Sequence, residues 1–280
     1  MFNNVAVIGM GLLGGSVGID VRQRGLARRV LGVTRRAGQT EAILASGAVD
    51  EVTTDWAALS GADLIVMAAP VSAILRQMPD VARWAAPEAI VTDLGSTKAE
   101  ISRVGEAALG GRFVPGHPMA GSHEAGIAAA RAGLFVNATW VFTPSAGTDK
   151  AALEKVMALA AAVGARPTTL DRDVHDRVAA AVSHMPHLAS AALSLAVSRL
   201  ADGDPRFALL AGGGLRDMTR LAASPANLWR DIFATNRDNT RAAMLAMRNA
   251  FDEVLAALED DDSVEAFFDK AGAVRKHLVG

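Results

Sequence analysis

The sequence of 280 residues contains no cysteine, and its acidic residues outnumber its basic ones by only two. The absence of thiols excludes disulfides, thiolate metal ligands and a cysteine nucleophile. A formal net charge of −2 gives no reason to expect a nucleic-acid or membrane partner. No uninterrupted apolar run reaches the roughly 18 residues of a membrane-spanning helix, and the N-terminus lacks the features of a signal peptide. We therefore expect a soluble cytoplasmic protein with a sizeable core.

A glycine-rich segment follows the first apolar run of the chain. Residues 5–8 are Val-Ala-Val-Ile, the pattern of a strand that is buried on both faces. The next six residues have the spacing G-x-G-x-x-G, which suits a tight turn, a close approach of the backbone to a pyrophosphate and close helix packing. We predict that this segment binds a dinucleotide; the alternative is a glycine-rich turn without a ligand. The predicted cofactor-binding residues here are Gly9, Gly11, Leu12, Leu13 and Gly14.

The end of the second predicted strand bears on which dinucleotide is bound. Sites that prefer NAD usually place Asp or Glu here, where the carboxylate accepts hydrogen bonds from the ribose hydroxyls. This sequence has Thr34 instead, followed by Arg35 and Arg36. Because guanidinium groups match a 2′-phosphate in charge and geometry, we predict NADP, with NAD as the alternative. The competing interpretation is that both arginines are only solvated loop charges.

Strands and helices alternate over the first 170 residues, which predicts a doubly wound α/β sheet. Within it we predict a helix over residues 71–85 that is broken at Pro79, and a loop around His117. Ligands of such sheets bind at the carboxyl ends of the strands, so residues at those ends should converge on one crevice. These residues are Gly9, Thr34, Pro70, Ser96 and His117, and we predict that Gly9, Thr34 and Pro70 bind the cofactor.

No strand pattern follows residue 170, and the remaining residues show successive helical patterns. We therefore predict two domains, a dinucleotide-binding domain over residues 1–170 and a helical domain over residues 171–280. The Ala-rich stretch 173–199 is apolar on most faces. This predicts a helix that is buried against a partner subunit as well as its own domain.

The long helix contains a second candidate site. Pro186 should open it, because proline cannot donate a hydrogen bond to the carbonyl group one turn earlier. His184 and His187 lie on one side of the opened turn, which favours a binding site over two core histidines. A zinc site formed with His175 or a carboxylate is the weaker alternative, and we expect no metal.

Two further segments contain candidate binding residues. Residues 116–124 place His117 and His123 among small, turn-prone residues, where the backbone can aim a ring at a ligand; the alternative is a solvated turn histidine. After three glycines, Arg216 and Arg220 lie one helical turn apart. Arginine is the planar, bidentate partner of a carboxylate, so this pair predicts an anion site, unless it forms a structural salt-bridge cluster with a neighbouring aspartate.

Several motifs, in this order, resemble the prephenate/arogenate dehydrogenases of tyrosine biosynthesis. The motifs are GMGLLGGS at 9–16, DLGSTK at 93–98, GHPMAGS at 116–122, His-Asp at 175–176, SHMPH at 183–187, GGLRDMTR at 213–220 and WRDIFATN at 229–236. The resemblance covers nearly the whole chain. It implies a Rossmann-type N-terminal domain and an all-α C-terminal domain that forms a homodimer. It also implies an oxidoreductase of aromatic amino acid biosynthesis, which decarboxylates its substrate oxidatively and transfers a hydride to NAD(P)⁺.

The resemblance also assigns roles to individual residues. His117 matches the catalytic histidine that favours deprotonation of the substrate hydroxyl, a task suited to an imidazole with an unperturbed pKa of about 6.5. Ser96 matches a serine that hydrogen-bonds the same centre. Sequence and resemblance together predict the substrate-binding residues His187, Arg220, Arg216, Ser122, His123 and His184.

Substrate preference and two alternative functions depend on a few positions. His123 stands where the family varies between its two substrates, and a residue that is not acidic favours prephenate over arogenate. A β-hydroxyacid-type NADP dehydrogenase would need a catalytic lysine on the long helix, but no lysine occurs between Lys155 and Lys270. A non-catalytic, NADP-sensing regulator would bind the cofactor without turnover.

Overall fold

A computed structural model describes residues 1–35, 37–121 and 124–279. Its largest element is a six-stranded parallel sheet with the order β3-β2-β1-β4-β5-β6. This order is typical of doubly wound dinucleotide-binding domains, so the predicted fold class is confirmed for this part of the chain. The strands are β1 (Phe2–Ile8), β2 (Ala27–Val33), β3 (Glu51–Thr53), β4 (Leu64–Met67), β5 (Ile90–Asp93) and β6 (Phe113–Val114).

Both faces of this sheet are covered by helices. Val5 and Val7 of β1 pack into an apolar cluster on one face, whereas Ala6 and Ile8 pack into the cluster on the other. This alternation is the period of two along a strand, and it explains why the run reads as continuously apolar. The helices of this part of the chain are α1 (Leu12–Gln23), α2 (Thr40–Ala45), α3 (Val71–Trp84), α4 (Ala99–Leu109) and α5 (Lys150–Ala162).

Helix α3 continues through Pro79, so the predicted break is wrong. Proline removes one backbone hydrogen bond and crowds the preceding turn. Ile74, Met78 and Val81, on both sides of Pro79, are nevertheless completely buried against the sheet. Tertiary packing of this apolar face outweighs the local cost of the proline.

A second, three-stranded sheet contains β7 (Gly116–Pro118), β8 (Thr139–Phe142) and β9 (Arg166–Thr169). His117 lies opposite Val141 in the antiparallel pair of β7 and β8, so the predicted loop at His117 is wrong. A Cβ atom at Gly116 would lie 3.0 Å from side-chain atoms of Trp140 and Phe142. Glycine at this position therefore allows the two strands to pack closely, and it does not form a turn.

The described elements that follow β9 are all helical. They are α6 (Arg172–Ala179), a π-helical turn (Ala180–His184), α7 (Met185–Ala201), α8 (Arg206–Leu209), α9 (Gly213–Thr219), a 3₁₀ turn (Arg220–Ala223), α10 (Ala226–Thr235), α11 (Arg237–Ala257) and α12 (Asp261–Val279). The predicted opening of the long helix is confirmed. Immediately before Pro186, the N–H of Met185 donates to the carbonyl of Ala180, five residues earlier.

The face of α7 that does not pack against the rest of the chain is apolar and exposed to solvent. Ser190 is the one buried residue of α7, whereas Leu195 and Leu200 are 58% and 74% exposed. In a single chain α7 is therefore buried on one side, and its burial against a partner subunit stays a prediction. The stretch Arg172–Ala201 is also long and apolar enough, by length and composition alone, to cross a membrane, a property that core helices of soluble proteins share.

Candidate active site

A cavity lies between the carboxyl end of the parallel sheet and the helical part of the chain. Its volume is about 550 Å³, and we call it the histidine cavity. Its lining includes Ser96, His117, His184, His187 and Arg220. The structure thus brings together five predicted site residues, from β7, the loop after β5, the opened helix and the turn after α9.

A smaller cavity of about 280 Å³ lies over the glycine-rich segment, and we call it the glycine cavity. Its lining includes Gly9, Gly11, Thr34, Arg35 and Pro70, all of which were predicted to bind the cofactor. Arg36 lies outside the described residues. The described residues that line this cavity include no Asp or Glu.

A third cavity, of about 350 Å³, connects the first two, and we call it the bridging cavity. It shares Gly11 and Pro70 with the glycine cavity and Ser96 and Leu228 with the histidine cavity. Its lining also includes the predicted residues Leu12 and Leu13. The strand-end residues therefore converge on a continuous crevice, as the topology predicts.

The glycine-rich turn fits a dinucleotide pyrophosphate. Gly9 has a φ of +97°, and a Cβ atom there would lie 2.7 Å from the carbonyl oxygen of Ala68. A Cβ atom at Gly14 would lie 2.1 Å from the carbonyl oxygen of Gly9. Gly11 has open space at that position, and no side chain caps the N-terminus of α1. The first N–H groups of α1 thus face the crevice, ready for a phosphate.

His117 belongs to a chain of three polar side chains. Its Nδ1 lies 2.9 Å from Nε2 of His175, and Nδ1 of His175 lies 2.8 Å from Oδ1 of Asp176. Asp176 also accepts hydrogen bonds from the backbone N–H groups of Lys98 and Ala99. This carboxylate therefore connects the start of α4 with the histidine on β7.

The environment of His117 favours the neutral imidazole. Burial lowers its pKa well below 6.5, and the neighbouring groups His175, Lys98 and His184, which disfavour a positive charge on this ring, act in the same direction. The expectation of an unperturbed pKa is therefore wrong. A neutral His117 can accept a proton over the whole physiological pH range.

Lys98 and Asp93, the two ends of the DLGSTK motif, form a completely buried ion pair. Asp93 also accepts hydrogen bonds from the N–H groups of Gly95 and Gly116, and Nζ of Lys98 donates to the carbonyl of Gly116. Burial raises the pKa of Asp93 and lowers that of Lys98, while the attraction between the two charges opposes both shifts. The pair holds Gly116, and with it the neighbouring His117, against the loop that carries Ser96.

The two histidines of the opened helix stand beside an aromatic side chain. The rings of His187 and Trp229 lie 4.0 Å apart, and those of His184 and Trp229 lie 5.9 Å apart. Nδ1 of His187 lies 2.8 Å from the carbonyl oxygen of Ser183, so this nitrogen donates and Nε2 remains free to accept. Burial lowers the pKa of His184 to about 4, which makes it a neutral ring at physiological pH.

The two predicted arginines are placed differently. Arg220 lines the histidine cavity, whereas Arg216 is exposed and is not among the described residues that line it. Ser122 and His123 lie outside the described residues. Among the described residues, no group of three His, Asp or Glu side chains is arranged to hold a metal ion.

Three residues of the site received no individual role from the sequence. Trp229 lines the histidine cavity, and Asp176 and Asn236 lie behind it, where Nδ2 of Asn236 donates to the backbone carbonyl of Asp176. The sequence points to these residues only through the segments that contain them, because those segments match the family motifs. A polar residue within a helix does not reveal which distant partner it meets.

Two family profiles and several relatives match this chain. The family profile described as "Prephenate dehydrogenase, nucleotide-binding domain" matches residues 17–169, and "Prephenate dehydrogenase, dimerization domain" matches residues 171–270. The prephenate dehydrogenase of Bacillus subtilis is 31% identical over 271 residues, which are 95% of this chain and 73% of that protein. The cyclohexadienyl dehydrogenase of Zymomonas mobilis is 31% identical over 244 residues, 84% of this chain and 82% of that protein.

Solved structures show the same relationship. Prephenate dehydrogenase from A. aeolicus, in complex with hydroxyphenyl propionate and NAD⁺, has a TM-score of 0.90 at 27% identity, over 99% of each chain. Synechocystis arogenate dehydrogenase has a TM-score of 0.84 at 28% identity, over 99% of this chain and 100% of that chain. The two profiles together match most of the sequence, and the resemblance drawn from the motifs is confirmed: the chain belongs to the prephenate dehydrogenase family.

Proposed function

We propose that this chain catalyses the oxidative decarboxylation of prephenate in tyrosine biosynthesis, with transfer of a hydride to NADP⁺. The observation that carries the proposal is the placement of Ser96, His117, His187 and Arg220 around one cavity, which joins the glycine cavity through the bridging cavity. Arogenate is the second candidate substrate, because structural and curated relatives are named for arogenate and cyclohexadienyl substrates.

The residues of the histidine cavity fit the steps of this reaction. The nicotinamide, when bound, accepts a hydride from the ring carbon that bears the substrate hydroxyl. His117 takes the hydroxyl proton at Nε2, and Ser96 hydrogen-bonds the same oxygen. The bond to the ring carboxylate then breaks, carbon dioxide leaves, and its electron pair aromatises the ring. The ring oxygen recovers the proton from His117, so the histidine ends the cycle neutral.

The polarity of the histidine cavity supports prephenate as the preferred substrate. Arogenate carries an ammonium group where prephenate carries a ketone. The described residues that line the histidine cavity include three histidines and Arg220 but no Asp or Glu. Without a carboxylate among these residues, the ammonium group would lose more solvation than the histidine cavity returns.

The end of β2 supports NADP⁺ as the cofactor. Thr34 stands at the position of the ribose-binding acid, and Arg35 lines the glycine cavity. A guanidinium group can form charge-assisted hydrogen bonds with a 2′-phosphate, whereas a threonine hydroxyl replaces only part of what a carboxylate offers to NAD. The NAD⁺ in the A. aeolicus relative makes NAD⁺ the alternative to test.

We also propose that the protein is a cytoplasmic homodimer with a division between its domains after residue 170. The profile of a dimerization domain begins at residue 171. The exposed apolar side chains of α7, among them Leu195 and Leu200, suit a second copy of this chain. A bilayer would not suit this stretch, because His184 and His187 at its centre line a cavity with polar walls.

An initial-rate assay with four combinations tests the reaction, the substrate and the cofactor together. Prephenate or arogenate is combined with NAD⁺ or NADP⁺, and the reduced nicotinamide is followed by absorbance. We expect the highest kcat/KM with prephenate and NADP⁺. A higher value with arogenate or NAD⁺ would reverse the respective choice. No turnover in any combination, from folded protein that binds NADP⁺, would favour the regulatory alternative.

Replacing Arg220 with alanine tests the carboxylate anchor. Loss of one charge-assisted hydrogen bond costs about 1.5–3 kcal/mol, so we expect KM for prephenate to rise by about 10–100-fold while kcat changes much less. Arg103→Ala, which removes an exposed arginine of α4, is the matched control and should leave both constants unchanged. An unchanged KM in Arg220→Ala would show that the carboxylate binds elsewhere.

A further inference from the structure

The histidine that faces the substrate is held by two side chains that do not line the histidine cavity. His175 and Asp176 lie on α6 and are 3% and 1% exposed. Two consecutive hydrogen bonds join the three side chains. The first, of 2.9 Å, lies between Nδ1 of His117 and Nε2 of His175, and the second, of 2.8 Å, lies between Nδ1 of His175 and Oδ1 of Asp176. Neither residue lines the histidine, glycine or bridging cavity, yet both are joined to the proposed base.

The partners of Asp176 determine the direction of these hydrogen bonds. Oδ1 accepts from the N–H of Lys98 at 2.7 Å, and Oδ2 accepts from the N–H of Ala99 at 2.9 Å. A carboxylate that accepts two backbone donors is an acceptor for His175 as well, so Nδ1 of His175 carries a hydrogen. In neutral His175 this leaves a lone pair on Nε2. The matching donor is Nδ1–H of His117, and the lone pair of His117 is then on Nε2.

We infer that His175 and Asp176 are positioning residues that fix the tautomer and ring orientation of His117, so that its Nε2 accepts the substrate proton. The inference rests on the proposed function. An imidazole in water has no partner that selects one tautomer, and a histidine with hydrogen on Nε2 could not take the hydroxyl proton. Fixing the tautomer of a catalytic histidine through a buried acid is an established device of other enzymes.

The same carboxylate also positions the serine. The N–H groups that Asp176 binds belong to Lys98 and Ala99, at the start of α4 and directly after the loop that carries Ser96. Asp176 thus connects the two groups proposed to contact the substrate hydroxyl. When His117 becomes an imidazolium, its Nδ1–H still donates to His175, and the Asp176 charge stabilises the cation through that ring. The proton returns from Nε2 to the ring oxygen, so the step balances within the established reaction.

The tautomer can be measured directly in the wild-type protein. Nitrogen-15 spectra of protein labelled at histidine report which ring nitrogen carries hydrogen, and His117→Asn identifies the resonances of His117. We expect hydrogen on Nδ1 of His117 in the wild type. Hydrogen on Nε2 would overturn the inference, whatever the activity of the protein. Because this readout needs no turnover, it separates the inference from the proposed function.

Substitutions of His175 give the kinetic test. His175→Leu removes the acceptor, and we expect kcat to fall by about 10²-fold, the lower end for a positioned acid–base group, with KM within about threefold. His175→Gln presents an amide oxygen near the position of Nε2 and should recover most of the activity and the Nδ1–H resonance. His277→Leu, at an exposed histidine of α12, is the control and should behave as the wild type.

The possible outcomes discriminate between positioning and mere packing. A His175→Leu protein that keeps wild-type kcat and the Nδ1–H tautomer overturns the inference and leaves the proposed function intact. Equal loss of kcat in the leucine and glutamine variants also overturns it, because a packing defect would not respond to the amide oxygen. If His175→Leu does not fold, the glutamine variant and the wild-type tautomer decide the matter by themselves.

Discussion

Replacing His117 with asparagine lowers kcat by about 10²–10⁴-fold, the usual contribution of a positioned acid–base group, with little change in the affinity for NADP⁺. Asparagine keeps a hydrogen-bonding group near the hydroxyl but cannot take its proton at neutral pH. Steady-state rates with prephenate give kcat, and fluorescence titration gives cofactor affinity. His277→Asn provides the matched control. A His117→Asn enzyme with wild-type kcat would remove His117 from the mechanism.

The pH profile of the wild type gives a second readout of the same residue. Burial lowers the pKa of His117 well below 6.5, and Lys98, His175 and His184 facing the ring lower it further. The proposed base is therefore protonated only in acid, and kcat/KM should fall on an acidic limb that lies below pH 6.5. His117→Asn should lose this limb. A limb at or above pH 6.5 in the wild type would contradict the proposed state of the base.

Lys98→Met destabilises the folded protein by about 3–5 kcal/mol, because removal of one partner leaves the other charge buried and unpaired. Lys98 and Asp93 are both completely buried, and the loss also removes the hydrogen bond from Nζ to the carbonyl of Gly116. Urea unfolding at one fixed protein concentration measures the effect, since the stability of a dimer depends on concentration.

Two further variants make the stability test specific. Lys98→Met combined with Asp93→Asn removes both charges, and the double variant should be more stable than Lys98→Met alone. Lys155→Met removes an exposed lysine of α5 and should change the free energy of unfolding by less than about 0.5 kcal/mol. A loss below about 1 kcal/mol in Lys98→Met would mean that water or another group replaces the buried partner.

The fold of the first half could be predicted because its strands are buried on both faces. Such strands read as continuous apolar runs, and residues 5–8 lead directly into the glycine-rich turn. The predictions fail where tertiary packing outweighs a local sequence signal. Pro79 lies in an unbroken helix because Met78 and its neighbours pack against the sheet, and Gly116 lies in a strand because Trp140 and Phe142 approach it closely.

The residues around the histidine cavity could be predicted because strand ends converge and because the motifs resemble a known family. The connection of His117 to His175 could not be predicted in this way. These residues are 58 positions apart, on β7 and α6, and their contact exists only in the tertiary structure. The low pKa of His117 has the same origin, since burial depends on what packs over the ring.

The wide turn at Ala180–His184 allows the length of the chain to change at one point without turning α7. In this turn the N–H of Met185 donates to the carbonyl of Ala180, and deletion of one residue between them would let the same pair close a regular α-helical turn. Deletion of one residue between His187 and Leu195 would instead rotate the exposed Leu195 and Leu200 by about 100° relative to His187 and Trp229. The proposed substrate contact and the apolar face thus share one helical register, which begins after the wide turn.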